Sequence, residues 1–277
     1  MSNSDEFSRQ AIAFIGGGNM ASAIIGGLLR QGLPAAQVEV VEPFAEARAR
    51  LLSGFGVVAH EHAGPALARA QLVVWAVKPQ TFRQAAAAAR DHTAAALHLS
   101  VAAGIRSDSI AGWLGTERIV RSMPNTPALI GKGMSALFAR AGVTAADRGR
   151  VEQVLGPTGE TLWVEQESQL DAVTALSGSG PAYVFLFLEA MIQAGVEMGL
   201  SPDHSKRLAI GTFVGASELA RASDDPPDVL RQRVTSKGGT THAAISAMEQ
   251  DQLPAAFIRA IQAARTRATE MGNEFGA

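Results

Sequence analysis

The sequence predicts an α/β fold in which an N-terminal, doubly wound parallel sheet is followed by a C-terminal half made of helices alone. Three observations support this prediction. Short β-rich runs alternate with helical segments as far as Val164, a glycine turn follows the first run, and the β signal disappears after Glu165. Such alternation is typical of a parallel sheet covered by helices on both faces.

The predicted strands follow one another along the first half of the chain, at residues 11–15, 38–41, 56–59, 72–77, 97–102 and 118–122. Helical segments stand between most of them, at residues 21–31 and 45–53, in the alanine-rich stretch that ends at Ala96, and at residues 108–114. A helical segment at residues 145–155 is flanked by two further runs that we expect to complete the sheet, residues 135–139 and 161–164.

Glycine and proline interrupt the helical pattern of the second half, at residues 178–181, 199–202, 226–227 and 238–239 and at Pro254. We therefore divide the chain into a sheet domain, residues 1–165, and a helical domain, residues 166–277. The helical domain is rich in small residues and carries long apolar faces, such as residues 184–192. These faces predict a dimerisation domain and a homodimer; the alternative is that they pack only on the chain's own sheet domain.

The composition excludes several classes of site and partner. Lys and Arg number 24 against 26 Asp and Glu, so the chain has no basic field for nucleic acid or an anionic membrane. The absence of cysteine excludes disulfides and thiolate catalysis, and the histidines show no metal-binding spacing. The N-terminus is polar, and no apolar run approaches the roughly 20 residues of a membrane span. We expect a soluble, cytoplasmic protein with no metal, nucleic-acid or membrane partner.

A glycine turn of the form Gly16-x-Gly18-x-x-Ala21 follows the first predicted strand and enters a helix. In a Rossmann fold the first glycine makes the tight turn, the second lets the backbone approach a pyrophosphate, and a small third residue allows close helix packing. We therefore predict an NADH or NADPH site at this turn, to which Asn19 and Met20 at the helix start also contribute. The alternative is a purely structural glycine turn.

Two further candidates for cofactor binding stand at the ends of predicted strands. Glu42 ends the second strand, where an acid usually hydrogen-bonds the adenosine ribose and favours NADH over NADPH. It could equally cap the strand end, so the preference between the two cofactors stays open. Lys78 and Pro79 follow the fourth strand, where the lysine would reach a ribose or phosphate unless it is only a surface lysine.

The segment Met123-Pro124-Asn125-Thr126-Pro127 follows the strand at residues 118–122. Proline fixes its own φ and restricts the residue before it, so two prolines make this loop rigid and non-helical. We predict that Met123, Pro124 and Asn125 lie against the nicotinamide ring.

Two turns in the helical half predict a substrate site. In Ser177-Gly178-Ser179-Gly180-Pro181-Ala182-Tyr183, small residues would form a floor where cofactor and substrate meet, with Ser179 as a ligand; the alternative is a capped helix start. In Val234-Thr235-Ser236-Lys237-Gly238-Gly239-Thr240-Thr241, glycines and hydroxyls open a helix. Backbone N–H groups at a helix start bind anions, so this second turn predicts a small carboxylated substrate.

In their order and spacing, these segments together resemble the pyrroline-5-carboxylate reductase family, and the resemblance covers nearly the whole chain. It implies an NAD(P)H-dependent imine reductase that converts Δ1-pyrroline-5-carboxylate to L-proline in the last step of proline biosynthesis. It also implies a homodimer, with assembly into a decamer as a further possibility.

The resemblance assigns roles to the second turn. The substrate carboxylate would be bound by four residues, Ser236, Gly238, Gly239 and Thr240. Thr241 would hydrogen-bond the ring nitrogen and is the predicted catalytic hydroxyl. Lys237 stands where many members of the family have proline, and its role is unassigned.

Two other functions are compatible with parts of the sequence. A β-hydroxyacid dehydrogenase would carry a catalytic lysine four residues after Gly180, but this chain has Val184 there and no base nearby for alcohol oxidation. A dinucleotide-sensing module without catalysis would explain the turn at Gly16 and leave the turn of residues 234–241 without a purpose.

Overall fold

The computed structural model describes residues 10–276, which belong to two compact units. The first unit extends to Ser179 and includes the chain again from Ala264 onward, and the second unit is Gly180–Ala263. The predicted division between residues 165 and 166 follows the end of the strand pattern instead. It stays a prediction about domain organisation.

The first unit contains an eight-stranded sheet in the order β3-β2-β1-β4-β5-β6-β7-β8. Its strands are β1 Ile12–Ile15, β2 Val38–Val41, β3 Ala59–His60, β4 Leu72–Trp75, β5 Leu97–Ser100, β6 Ile119–Met123, β7 Gly133–Ala139 and β8 Gly159–Trp163. All neighbours pair in parallel except β6 and β7, which are antiparallel. The doubly wound, mostly parallel sheet is therefore confirmed.

The antiparallel direction of the β6–β7 pair is a feature that the residue pattern does not predict. Only the short segment with the 3₁₀ helix Thr126–Ile130 connects β6 to β7. A parallel return requires a crossover of roughly a dozen residues or more, so a connection this short can only bring the chain back antiparallel.

Helices cover both faces of the sheet. Those of the first unit are α1 Asn19–Arg30, α2 Ala45–Phe55, α3 Pro79–Thr93, α4 Ser107–Leu114, α5 Ala145–Leu155 and α6 Gln169–Val173. Successive side chains of a strand point to opposite faces, so Ile12 and Phe14 pack with Ile24 of α1, and Ala13 packs in a separate cluster with Phe82 of α3. Each large apolar side chain buried in this way contributes about 1.5–3 kcal/mol to folding.

Local sequence explains where these helices begin and end. At the start of α5, the Thr144 hydroxyl accepts the Asp147 N–H while the Asp147 carboxylate accepts the Thr144 N–H, a reciprocal capping box. The helices α2 and α4 end at Gly56 and Gly115, which adopt the left-handed conformation that glycine favours. The predicted bounds of α5 agree with the structure.

The elements that follow β8 in the described chain are all helical, as predicted. Those beyond α6 are α7 Gly180–Glu197, α8 Pro202–Arg221, α9 Pro227–Arg233, α10 Thr240–Gln250 and α11 Leu253–Phe275, the last of which contributes to both units. The predicted breaks at residues 199–202, 226–227 and 238–239 and at Pro254 all lie at helix boundaries.

The break predicted at residues 178–181 interrupts the regular α-helix, because α7 begins at Gly180, but it does not end the helical stretch. A π-helical turn at Thr174–Gly178 joins the two helices, and the Ser179 N–H donates to the Thr174 carbonyl oxygen five residues earlier (2.8 Å). The wider hydrogen-bonded turn carries the helix across the glycines that were expected to end it.

This continuity also corrects the expectation about membrane spans. Within residues 10–276, one helical stretch, Gln169–Glu197, is long and apolar enough by length and composition to cross a membrane, and almost none of its most apolar part is buried. We expected no such stretch, because the glycines appeared in the sequence as an interruption.

Candidate functional site

The first glycine turn lies at the carboxyl end of β1, where β1 is flanked by β2 and β4 in the sheet. Gly16 has φ +97°, and a Cβ placed on it would lie 2.6 Å from the Ala76 carbonyl oxygen at the end of β4. The Ala76 N–H donates to the Ile15 carbonyl oxygen (2.8 Å). Only glycine allows this close approach, and ligands bind to doubly wound sheets where the strand order reverses in this way.

The last glycine of this turn has free space around it and stands at the start of helix α1. Gly18 is the N-cap of α1, and a Cβ placed on it would meet no atom within 4 Å. The first turn of α1 contains no acid. The first N–H groups of a helix have no partner within that helix, so this helix start fits the pyrophosphate of a dinucleotide, with Asn19 and Met20 beside it.

Between these two glycines, Gly17 is tied to Glu42. The Gly17 N–H donates to Glu42 Oε2 (2.7 Å), and a Cβ on Gly17 would lie 2.7 Å from Leu51 Cδ1. The other carboxylate oxygen, Oε1, accepts the Phe44 N–H (2.9 Å), and Glu42 is only 6% exposed. The residue pattern does not indicate a role for Gly17 or Phe44, because each makes its contact through a backbone N–H that every residue except proline has.

The segment after β2 is held by an arginine as well. The Arg48 guanidinium donates to the carbonyl oxygens of Glu42 (3.0 Å) and Pro43 (2.7 Å) and pairs with Glu61 (3.2 Å). These contacts are to backbone and to another side chain. They stiffen the turn that leads from Glu42 into α2.

Lys78 and Pro79 lie next to the Gly16 contact, at the start of α3. Lys78 is the N-cap, Pro79 occupies the first turn, and the Thr81 N–H donates to the Lys78 carbonyl oxygen (3.0 Å). The Lys78 side chain is exposed. It is therefore available to an anionic ligand at this edge of the sheet.

The loop after β6 contacts the π-helical turn. Asn125 Oδ1 accepts the Met134 N–H (2.9 Å), and Asn125 Nδ2 donates to Ser177 Oγ (3.2 Å). A Cβ on Gly178 would clash with Met123 Cε, so the methionine packs directly on the glycine. Pro124, which stands between Met123 and Asn125 in the sequence, is buried. Two segments that were predicted separately thus form one arrangement in the first unit, in which Asn125 is held at both ends of its amide.

Trp75, the last residue of β4, forms a buried hydrogen-bonded pair with His98. The Trp75 Nε1–H donates to His98 Nδ1 (3.0 Å), and both side chains are almost fully buried. Burial lowers the pKa of His98 to about 4, although a hydrogen bond to the Thr93 backbone opposes the shift. The imidazole is therefore neutral near pH 7, as an acceptor of the Trp75 hydrogen bond must be.

The second glycine turn, in the second unit, opens α10. The Gly239 N–H donates to the Ser236 carbonyl oxygen (3.0 Å), which closes a four-residue turn in which Gly238 has φ +75°. Gly239 is the N-cap of α10, and a Cβ placed on it would lie 2.6 Å from Ser236 Oγ. Thr240 and Thr241 form the first turn of α10, which contains no acid. The predicted helix start is confirmed.

The hydroxyls of this turn differ in whether they make hydrogen bonds within the protein. The Thr235 hydroxyl donates to the Arg231 carbonyl oxygen (2.6 Å) and so closes the C-terminal end of α9. Thr241 is half-buried, and among residues 10–276 its hydroxyl makes no hydrogen bond that the structure records. Ser236 and Thr240 are exposed. A helix start with free hydroxyls and no acid suits a small anion.

The described residues contain no group of three or more His, Asp or Glu side chains placed to hold a metal ion. The candidate sites consist of backbone N–H groups, hydroxyls, an amide and two exposed lysines, Lys78 and Lys237.

Two family models match this chain. The model described as pyrroline-5-carboxylate reductase dimerisation matches residues 167–271, and the model described as NADP oxidoreductase coenzyme F420-dependent matches residues 11–104. The first range contains the second glycine turn, and the second range contains the first glycine turn.

The chain is also similar over nearly its whole length to known pyrroline-5-carboxylate reductases. That of Pseudomonas aeruginosa is 45% identical over 273 residues, which cover 97% of this chain and 99% of that protein. A solved structure from Coxiella burnetii is 35% identical, with a TM-score of 0.88 over 95% of this chain and 98% of that one. The Plasmodium falciparum pyrroline carboxylate reductase, solved with NADP bound, is 28% identical, with a TM-score of 0.86 over 96% and 99%.

Proposed function

This chain belongs to the pyrroline-5-carboxylate reductase family, and we propose that its two glycine turns serve the two ligands of that reaction. It is an NAD(P)H-dependent oxidoreductase that reduces the C=N bond of Δ1-pyrroline-5-carboxylate to L-proline, the last step of proline biosynthesis. The observation that carries this conclusion is the 45% identity to a curated reductase over 97% of the chain.

The cofactor is assigned to the first unit. Gly16, Gly18 and the start of α1, with Asn19 and Met20, would hold the pyrophosphate, because this helix start is open and free of acid. The exposed Lys78, beside Pro79, would pair with a phosphate or ribose. When bound, the nicotinamide supplies the hydride.

The loop after β6 is assigned to the nicotinamide side of the cofactor. Met123, Pro124 and Asn125 would set the position of the ring, and the contacts of Asn125 with Ser177 and Met134 make the loop stiff enough to do so. Ser179 would offer its hydroxyl to the substrate, since its N–H is already used in the π-helical turn.

The substrate carboxylate is assigned to the second glycine turn. Ser236, Gly238, Gly239 and Thr240 would surround it with hydroxyls and the N–H groups at the start of α10. A cyclic imine is readily protonated, and its carbon then accepts a hydride without a strong acid, so orientation is the main requirement. Thr241 would hold the proton at the ring nitrogen through its hydroxyl, which is too weak an acid to drive the reaction alone.

We propose that the chain forms a homodimer and that the dimers can assemble further into a decamer. The helices α7 and α8 expose large apolar side chains, among them Phe185, Leu186 and Leu208, over a region that the dimerisation family model matches. A second copy of the chain would cover these side chains. On this proposal the apolar stretch Gln169–Glu197 lies in a protein interface instead of a membrane, and the enzyme is cytoplasmic.

The activity is tested by following the loss of nicotinamide absorbance with purified protein and Δ1-pyrroline-5-carboxylate, in parallel with NADH and NADPH. We expect turnover, with L-proline as the product. A β-hydroxyacid with the oxidised cofactor serves as the control substrate and should not react. Oxidation of that hydroxyacid without reduction of the imine would contradict the proposal.

The role of Thr241 is tested by Thr241→Ala, with Thr241→Ser as the matched control that keeps a hydroxyl. Loss of one hydrogen bond at the reacting nitrogen should lower kcat by about tenfold or more, while the Kd for NADPH stays unchanged. The serine variant should retain most of the turnover. Unchanged turnover in Thr241→Ala would remove this residue from the mechanism.

A further inference from the structure

The contacts of Glu42 point to a role that differs from ribose binding. We propose that Glu42 is a positioning residue that holds the first glycine turn in shape for NADH and NADPH alike. The proposal rests on the cofactor site proposed above, because it concerns how that site is built. On this proposal, Glu42 does not select between NADH and NADPH, and the preference depends on other residues.

The Glu42 carboxylate is directed towards the protein itself. One oxygen accepts the Gly17 N–H at 2.7 Å and the other accepts the Phe44 N–H at 2.9 Å, so both oxygens face the chain's own backbone. At 6% exposure, Glu42 does not present its carboxylate to a ligand. Little of this carboxylate is left accessible to a ribose hydroxyl, and each of its oxygens already accepts a backbone N–H.

The Glu42 carboxylate also joins two separate turns of the chain. Gly17 belongs to the turn after β1, and Phe44 belongs to the turn after β2, so one side chain ties two neighbouring loops at the carboxyl edge of the sheet. Gly17 also has no room for a Cβ, because Leu51 Cδ1 would lie 2.7 Å away. Hydrogen bonds from backbone N–H groups to a carboxylate are stronger than those to a neutral acceptor, so the tie is stiff.

The Glu42 carboxylate accepts hydrogen bonds from two backbone N–H donors, those of Gly17 and Phe44. Two N–H groups need two acceptors, and only an ionised carboxylate offers one to each. In Glu42→Gln, the amide can accept one N–H, but its NH₂ group then faces the other N–H donor. A substitution of nearly the same size therefore breaks the tie without opening a cavity.

The experiment measures the Kd of NADH and of NADPH by calorimetry without substrate, for wild type and Glu42→Gln. Both Kd values should rise by the same factor, about tenfold, because one charged hydrogen bond that shapes the shared turn is lost. The ratio of the two values should change by less than about twofold. Glu46→Gln, which removes an exposed acid from the same region, is the matched control and should leave both values unchanged.

A double variant separates loop positioning from general loss of stability. Phe44→Pro removes the second N–H donor, so in that background the Glu42→Gln amide can accept the Gly17 N–H with no opposing donor. Glu42→Gln should then weaken cofactor binding much less than it does in the wild type, whatever its effect on Tm. With saturating cofactor, the KM for pyrroline-5-carboxylate should stay unchanged in Glu42→Gln.

A change in the NADPH to NADH ratio, or unchanged Kd values in Glu42→Gln, would overturn the proposal. An equal effect of Glu42→Gln in both backgrounds would overturn it as well. If the wild-type protein bound neither nucleotide, the cofactor site itself would fail, which is a separate outcome.

Discussion

At the scale of single residues, the glycines of the first turn have two different reasons to be glycine. Gly16 is required by the fold, since φ +97° and the Ala76 carbonyl oxygen leave no place for a Cβ. Gly18 has φ −72° and open space around its missing Cβ, so nothing in the protein itself requires glycine there. On the cofactor site proposed above, glycine at position 18 would leave room for the ligand.

This difference gives a prediction for Gly18→Ala. The variant should keep the wild-type Tm, because the backbone conformation suits any residue and the added methyl meets no protein atom. Its Kd for NADPH should rise by about tenfold or more, because the methyl enters the space assigned to the pyrophosphate. Thermal unfolding and calorimetric titration measure the two effects. Gly16→Ala is the comparison and should lose both stability and affinity, while unchanged cofactor affinity in Gly18→Ala would place the pyrophosphate elsewhere.

A second prediction at this scale concerns pH and His98. The pKa of this histidine is about 4 in the folded protein and about 6.5 in the unfolded chain, so the unfolded state binds more protons between these values. Its contribution to stability is complete above about pH 6.5 and is lost as the pH falls towards 4. At pH 5 the loss should be about 2 kcal/mol.

Urea unfolding of wild type and His98→Gln at pH 7 and pH 5 measures this contribution. Glutamine can still accept the Trp75 N–H but does not titrate, so the variant should lose less stability between the two pH values. Equal losses in the two proteins would show that His98 does not carry the effect.

At the scale of elements, the second glycine turn explains an unusual residue. In the turn Ser236–Gly239, Lys237 occupies the second position and the positive φ falls on Gly238 in the third. A turn of this kind favours proline in its second position. This is consistent with proline in many members of the family, and lysine makes the same turn with more freedom in the unfolded chain.

Lys237→Pro should therefore stabilise the protein by about 0.4–1 kcal/mol, because proline restricts the unfolded chain at a position where the folded turn accepts it. Lys237→Ala is the control, since it removes the charge without fixing φ. Denaturant unfolding compares the two variants with wild type. A proline variant no more stable than the alanine variant would contradict this account of the turn.

The helices and strands also show where local patterns were misleading. The glycines at residues 178–181 predict the end of a helix, but the chain only changes there from a π-helical turn to α7, and the Ser179 N–H still donates to the Thr174 carbonyl oxygen. The run at residues 135–139 was recognised as a strand, whereas its antiparallel direction depends on the short connection from β6. Local residue choice identifies an element more readily than it identifies how that element joins the next one.

At the scale of the whole molecule, the exposed apolar side chains of the second unit determine the expected assembly. A monomeric soluble protein rarely exposes many neighbouring large apolar side chains. Leu186 is 63% exposed and lies on the apolar helix α7, whereas Leu52, on α2 of the first unit, is similarly exposed at 55%. The two leucines offer a direct comparison.

Leu186→Glu should shift the protein towards the monomer, because a charge in the proposed dimer interface must be desolvated without a partner. Leu52→Glu is the same substitution at similar exposure and should leave the assembly unchanged. Light scattering after size-exclusion chromatography, without detergent, gives the mass of each. A dimer or decamer mass in wild type is expected, and a monomeric wild type or an unaffected Leu186→Glu assembly would place the interface elsewhere.

The sequence by itself determined the fold class, the boundaries of elements such as α5, the two helix-opening glycine turns and the resemblance to a reductase family. These features depend on short-range requirements: side-chain periodicity, capping, and positions where only glycine fits. Only the tertiary structure showed that Glu42 turns inward to Gly17 and Phe44, that Asn125 joins Ser177 and Met134, and that Met123 rests on Gly178. Three of these contacts, Glu42–Gly17, Asn125–Ser177 and Met123–Gly178, join segments far apart in the chain, and a backbone N–H carries no residue identity from which its partner could be predicted.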